Sequence, residues 1–223
     1  MKDFELKNMH LEDIEDLLVK IEKSFDIVFA DNELAYVQTF GEMCDHIKGK
    51  IQLENKDDCT TQQAFYKLRT AISTSLQINT DELTVNTLLT DLLPRSSRRE
   101  RTKKIEHELG LKLSLLRPPR FVTGFLTLLL LASFIVVFFN WQIGLAGLGL
   151  SIAGLWFSKK TANEIELNTL GELTEKLTKE SYLMSRRNPK TYNENEIERI
   201  LFDWFSKDLG IDKAKLTRDA RLT

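Results

Sequence analysis

The sequence is short of the groups that site chemistry needs. Its three histidines, His10, His46 and His107, include no pair at metal-ligand spacing. Its two cysteines, Cys44 and Cys59, form no Cys-x-x-Cys, so a reduced pair is expected rather than a disulfide or a zinc site. No glycine-rich phosphate loop and no recognisable nucleophile–base pair occur, so neither a catalytic residue nor a metal site is expected. A formal net charge of -2 gives no global attraction to nucleic acid. The start, MKDFELKNMHLEDIEDLL, lacks a basic segment followed by an apolar run and does not read as a signal peptide.

The longest absence is of charge itself. No Asp, Glu, Lys, Arg or His falls between Arg120 and Lys159, a stretch of 38 residues. One straight helix of that length would measure ~57 Å at ~1.5 Å per residue, well beyond a hydrocarbon layer of ~30 Å. Asn140-Trp141-Gln142 is the only polar punctuation near the middle and reads as a turn at headgroup depth. The expectation is a transmembrane hairpin over 120–158, with spans at Phe121–Phe139 and Ile143–Phe157. In the second, Gly144, Gly147, Ser151 and Gly154 share one helix face. That face suits close packing, either within the hairpin or against a second copy of the chain. Without ionisable groups in the spans, a pump or transporter is not expected. Cations flank the block on both sides and are missing from its central turn. This predicts an integral protein of the inner or cytoplasmic membrane with both termini cytoplasmic.

Outside the block, three pieces recur. QTFGEMCDHI and NTLGELTEKL both begin a helix with a capping box, Thr39 with Glu42 and Thr169 with Glu172. IEKSFDIVF (Ile21–Phe29) parallels IEHELGLKL (Ile105–Leu113). LQINTDELTVNTLL (Leu76–Leu89) parallels LGIDKAKLTRDARL (Leu209–Leu222), each after an amphipathic helix. The middle of the chain holds all three pieces in order, with the apolar block inserted before the last. The N-terminal end has only the last two, and the C-terminal end only the first. The economical reading is a second module closed across the termini. Ile197, Ile200, Leu201, Trp204 and Phe205 would then cover Ile14, Leu17, Leu18, Ile21 and Phe25.

The order of these pieces resembles an acyl carrier protein, over most of the chain outside the apolar block. IERILFDWFSKDLGIDKAKLTRDARL resembles the family's first helix and long loop. LEDIEDLLVKIEKSFDIVFADNELAYVQTFGEMCDHI resembles the remainder. The resemblance implies an all-α fold: two small carrier-protein-like bundles plus the inserted transmembrane hairpin. The bundles would be 1–55 plus 190–223 and 61–116 plus 161–182. The family's Asp-Ser-Leu attachment motif is missing from both copies. One reads NMHLED and the other LPRSSRRER, where the attachment serine would fall on Ser96 and an arginine, Arg95, replaces the aspartate. Ser97-Arg98-Arg99-Glu100 itself reads as a capping box. No cofactor is therefore expected, phosphopantetheine included.

Charge separates the two copies. Arg95, Arg98, Arg99, Arg101, Lys103 and Lys104 against Glu100 give +5 over 95–104, which suits anionic lipid headgroups. Glu12, Asp13, Glu15, Asp16 and Glu22 against Lys20 and Lys23 give -3 over 11–23. The acidic second helix is the docking face in carrier proteins, so the resemblance implies that Glu12, Asp13, Glu15 and Asp16 receive a protein partner. The expected function is a non-catalytic, membrane-anchored binding or scaffold protein. The alternatives are a membrane-tethered acyl carrier using Ser96 and a small membrane-perturbing or channel protein.

Overall fold

Helical spacing of apolar residues dominates the chain, and the computed structural model, which describes residues 11–221, is all-α in consequence. Among the described residues ten helices account for nearly all regular structure. In chain order they are α1 (Leu11–Phe25), α2 (Phe40–Lys50), α3 (Thr60–Leu76), α4 (Leu89–Leu92), α5 (Arg98–Leu109), α6 (Arg120–Val136), α7 (Trp141–Lys160), α8 (Leu170–Glu180), α9 (Tyr182–Ser185) and α10 (Glu194–Asp208). Four two-residue strands make two small ribbons. β1 (Glu54–Asn55) runs parallel to β4 (Thr191–Tyr192), and β2 (Leu116–Arg117) antiparallel to β3 (Glu164–Ile165).

The chain divides into two compact units. One holds the described residues through Arg69 and those from Leu173 onward; the other is Thr70–Glu172. The cut falls inside α3 and α8. The start of α3 is tied to the 184–187 segment: Lys67 Nζ donates to the carbonyls of Met184 and Arg186 at 2.8 and 2.6 Å, and the Arg187 N–H to Gln63 at 2.6 Å.

The core of the first unit is built on α10. Ile197, Ile200, Leu201, Trp204 and Phe205 are all buried. They meet α1 and α2, with ring centroids 5.8 Å apart for Phe25–Trp204 and 5.1 Å for Phe40–Phe205. Leu17 and Ile21 complete the α1 stripe of the same core. Ion pairs edge it. Lys48 reaches Asp45, Glu194 and Glu198 at 3.2–3.3 Å, and Arg218 holds Asp45 and Glu198 at 2.7 Å each.

Beneath this core lies a fully buried arginine, Arg186. Its guanidinium donates to Thr60 Oγ1 (2.5 Å), Thr191 Oγ1 (3.1 Å), Tyr182 Oη (3.3 Å) and the carbonyls of Lys56 (3.2 Å) and Asp58 (3.3 Å). Glu196, at 3.7 Å, supplies the countercharge. That carboxylate also accepts from Tyr182 Oη and the Thr60 N–H, both at 2.9 Å. Burial pushes the Tyr182 phenol up to about 12, and the charge of Glu196 acts in the same direction.

The same local bonds occur twice along the chain. Asp26 and Gly110 end α1 and α5 at φ of 51° and 70°, and Glu22 and Glu106 then accept the N–H of Phe29 (2.7 Å) and Leu113 (2.8 Å). After α3 and α10, Gln77 and Gly210 take φ of 56° and 65°. There Ser73 Oγ donates to Ile78 O (2.7 Å) and Ser206 Oγ to Ile211 O (2.8 Å). Thr39 Oγ1 and Thr169 Oγ1 each accept the N–H three residues on at 3.2 Å, and Glu42 and Glu172 reach back to the N–H of Gln38 and Asn168.

The glycine between cap and glutamate has its own reason. The Gly41 N–H donates to Arg218 O (2.7 Å) and the Gly171 N–H to Val85 O (2.8 Å). A Cβ at either position would stand only 2.8 or 3.0 Å from that carbonyl oxygen. Leu222, expected to match Leu89, lies outside the described residues.

Trp204→Ala is expected to destabilise the full chain by ~3–5 kcal/mol, whereas Val19→Ala on the exposed face of α1 should stay within ~0.5 kcal/mol. Urea unfolding in mild detergent, followed by far-UV circular dichroism, reads both.

A second expectation concerns acid. Hydrogen bonds from Lys50 (2.6 and 2.8 Å) and the Ala30 N–H (2.7 Å), with His46 at 2.8 Å, hold the Glu33 carboxyl down at about 2, against an ordinary 4.5. A carboxyl depressed on folding stabilises above its ordinary pKa, and that stabilisation is lost as pH falls through its folded value. The thermal midpoint should therefore drop between about 4.5 and about 2, and Glu33→Gln should flatten part of that slope.

Candidate functional site

The charge-free block folds into two helices that run back along each other. Gly144 lies against Val137, Gly147 against Ser133 and Gly154 against Leu126, a register that only an antiparallel pair produces. Ser151 is fully buried and donates to its own helix at Gly147 O (2.8 Å); Ser133 does likewise to Leu129 O (2.7 Å). The seam therefore works through smallness, not through polar bridges. The face of Gly144, Gly147, Ser151 and Gly154 is occupied within the chain and is not free for a second copy.

The helix limits differ from those expected. Asn140 is the N-cap of α7, its side chain accepting the Ile143 N–H at 3.3 Å, so Trp141 and Gln142 belong to the helix and the turn lies at 137–140. α7 gains length at both ends and has 20 residues, whereas α6 stops at Val136 with 17. Twenty residues rise ~30 Å, the thickness of a hydrocarbon layer. Among the described residues α7 is the one helix long and apolar enough to cross a membrane; α6 is apolar but shorter. Fifteen of the twenty-two large hydrophobic side chains exposed among the described residues lie between Phe121 and Phe157. This far exceeds the scattered exposure that an ordinary surface carries.

Charge gathers at one end of this pair. The β2–β3 ribbon brings the chain entering α6 beside the chain leaving α7. Arg117 and Arg120 share Glu166 at 3.1 and 3.3 Å, and Arg95 reaches Glu164 at 2.5 Å. Arg99 donates to Lys160 O at 2.6 Å, near the negative end of the α7 dipole. Lys159 is exposed, and Lys160 Nζ stands 5.1 Å over the Trp156 ring. The opposite end, 137–142, holds no charge.

The basic residues expected to face lipid thus separate. Arg98 is buried: it donates to Leu93 O (3.0 Å) and Asn163 O (2.6 Å) and is structural, because a buried guanidinium is tolerated only with such partners. Arg101 spends one N–H on Leu92 O at 2.8 Å. Lys104 pairs with Glu100 at 2.8 Å, and its carbonyl faces Ser75 Oγ. Lys103 is exposed.

Thr102, one turn beyond Arg98, and Asn163, whose carbonyl Arg98 binds, each bury a side-chain oxygen without a hydrogen-bond partner among the described residues, Thr102 Oγ1 and Asn163 Oδ1. Ser97 makes no capping bond; at φ -118°, ψ 6° it lacks the extended backbone that a capping side chain uses, and Glu100 turns to Lys104 instead. Ser96 is exposed.

Asp13, Glu15 and Asp16 are exposed on α1 and make no ion pair among the described residues; the side chain of Glu12, like His10, lies outside them. Cys44 is buried, which pushes its thiol up to about 12, and Cys59 is exposed; both are free. No cluster of three metal-binding side chains occurs among the described residues. The chain matches no known protein family, no curated protein and no solved structure.

Gly147→Leu should force α6 and α7 apart, because its side chain would enter the volume of Ser133. The expected readout is faster proteolysis of 120–160 in mild detergent and a lower unfolding midpoint. Gly149→Leu, whose Cβ meets nothing within 4 Å, should change neither.

Proposed function

We propose that the chain is a non-catalytic, membrane-anchored scaffold. In this reading α6 and α7 form a transmembrane hairpin, inserted into one of two acyl-carrier-like helical modules. The interrupted module is 61–116 plus 161–182; the other, 1–55 plus 190–223, is closed across the termini. Both termini are cytoplasmic. The observation that carries the anchor is the pairing of extensive exposed apolar surface on α6 and α7 with cations at one end alone.

The duplicated module is supported by the paired hydrogen bonds at the ends of α1 and α5, of α3 and α10, and at the starts of α2 and α8. Ser96 precedes a helix start without the family's Asp-Ser-Leu, so the modules bind and do not carry. The free acidic face of Asp13, Glu15 and Asp16 on α1 is the surface for a basic protein partner.

Topology reporters on both termini of the full chain test the anchor: both should signal the cytoplasm, and opposite signals would sink the hairpin. Intact mass after coexpression with a phosphopantetheinyl transferase should stay unchanged. A phosphopantetheine-sized gain abolished by Ser96→Ala would make the protein a tethered carrier instead.

A further inference from the structure

Resting on the membrane reading, we infer that the base of the α6–α7 pair is a phosphate-recognition collar that selects anionic phospholipids in a single leaflet. The collar consists of Arg95, Arg99, Arg117, Arg120, Lys159 and Lys160. Glu164 and Glu166 are the carboxylates that answer it, which leaves a formal surplus of four positive charges. Those two carboxylates also position it. Glu166 braces two guanidinium groups at once and Glu164 a third, so less side-chain freedom is lost when a phosphate arrives. Lys159 and Lys160 have no carboxylate partner among the described residues.

Depth follows from Trp156. Its ring is exposed one turn before Lys160, whose ammonium stands above it. An indole at the interface places that ammonium among headgroup phosphates. Arg101 and Lys104 are not part of the collar: every collar residue lies on, or bonds to, the chain entering α6 or leaving α7, whereas Arg101 binds Leu92 O and Lys104 binds Glu100. The uncharged turn at 137–140 gives the other leaflet nothing equivalent. The recognition is therefore one-sided, and its ligand is an anionic lipid and not a zwitterionic one.

The test uses the full chain reconstituted in vesicles of equal parts phosphatidylglycerol and phosphatidylcholine. Lipids retained after mild detergent extraction are counted by native mass spectrometry. The wild type should enrich phosphatidylglycerol about tenfold, with the enrichment shrinking as salt rises. The combined variant Arg117→Gln, Arg120→Gln, Lys159→Gln, Lys160→Gln should retain the two lipids nearly equally while still resisting carbonate extraction. Lys159→Arg with Lys160→Arg should keep the enrichment, which guards against misfolding as the cause.

Unchanged enrichment in the glutamine variant overturns the collar and leaves the anchor standing. Release of the wild type by carbonate overturns the anchor itself. Excess inorganic phosphate at constant ionic strength should leave the lipid in place; its displacement would reassign the site to free phosphate.

Discussion

The guanidinium of Arg186 is the constraint on which the first unit depends. It is fully buried, and a buried cation without partners costs several kcal/mol. Its partners come from four separate places: the 56–60 linker, Tyr182 on α9, Thr191 on β4 and Glu196 on α10. Some of them are more than 120 residues away in sequence. None of these segments can leave without stranding the charge. The start of α3, the β1–β4 ribbon and the first turn of α10 are thereby assembled at one point. The apolar stripe of α10 then has only one direction in which to lie, along α1 and α2.

The second constraint is local and is used twice. In Thr-x-Gly-Glu the threonine and glutamate cap the helix, and the glycine admits a carbonyl from a loop distant in sequence. Gly41 receives Arg218 O and Gly171 receives Val85 O. A capping box alone would start a helix anywhere. The glycine converts the cap into a docking point, because only a residue without Cβ allows the loop backbone so near. Each loop arrives in the same way, after a helix that ends with a residue in the left-handed region and a serine bound to the carbonyl five residues on. Cap, glycine and loop therefore act together, and loss of any one would leave the other two without a partner.

Much of this was legible in the sequence. The caps at Thr39 and Thr169, the stripes of α1 and α10 and the small-residue face of α7 all follow from short-range spacing. What escaped was set by long-range geometry. Asn140 and Trp141 look alike as interruptions of an apolar run. Only the cap bond to Ile143 shows that the helix starts here and carries the tryptophan inside it. Arg98 stands among five other cations and reads as one of a lipid-facing set. Its burial depends on the carbonyls of Leu93 and Asn163, the second of them across the whole apolar insertion. Arg186 was invisible for the same reason: beside Arg187 and before Asn188-Pro189 it has the look of a surface turn.

The two copies of the local pattern differ most in the connections from α1 to α2 and from α5 to α8, and the difference has a simple physical basis. Between α1 and α2 the connection is short and tied down by Glu22 on Phe29 and by Glu33 on Lys50. Between α5 and α8 the equivalent bond, Glu106 on Leu113, is kept, but the chain then leaves through β2 and returns through β3. Because the ribbon holds its ends side by side, whatever lies between them is closed at its base. An antiparallel helix pair with a tight turn fits that boundary condition. The cations had to collect at the ribbon for the same reason. It is where two polar chain ends meet two apolar helices, and there the carbonyls ending α7 and the carboxylates of Glu164 and Glu166 both need positive partners.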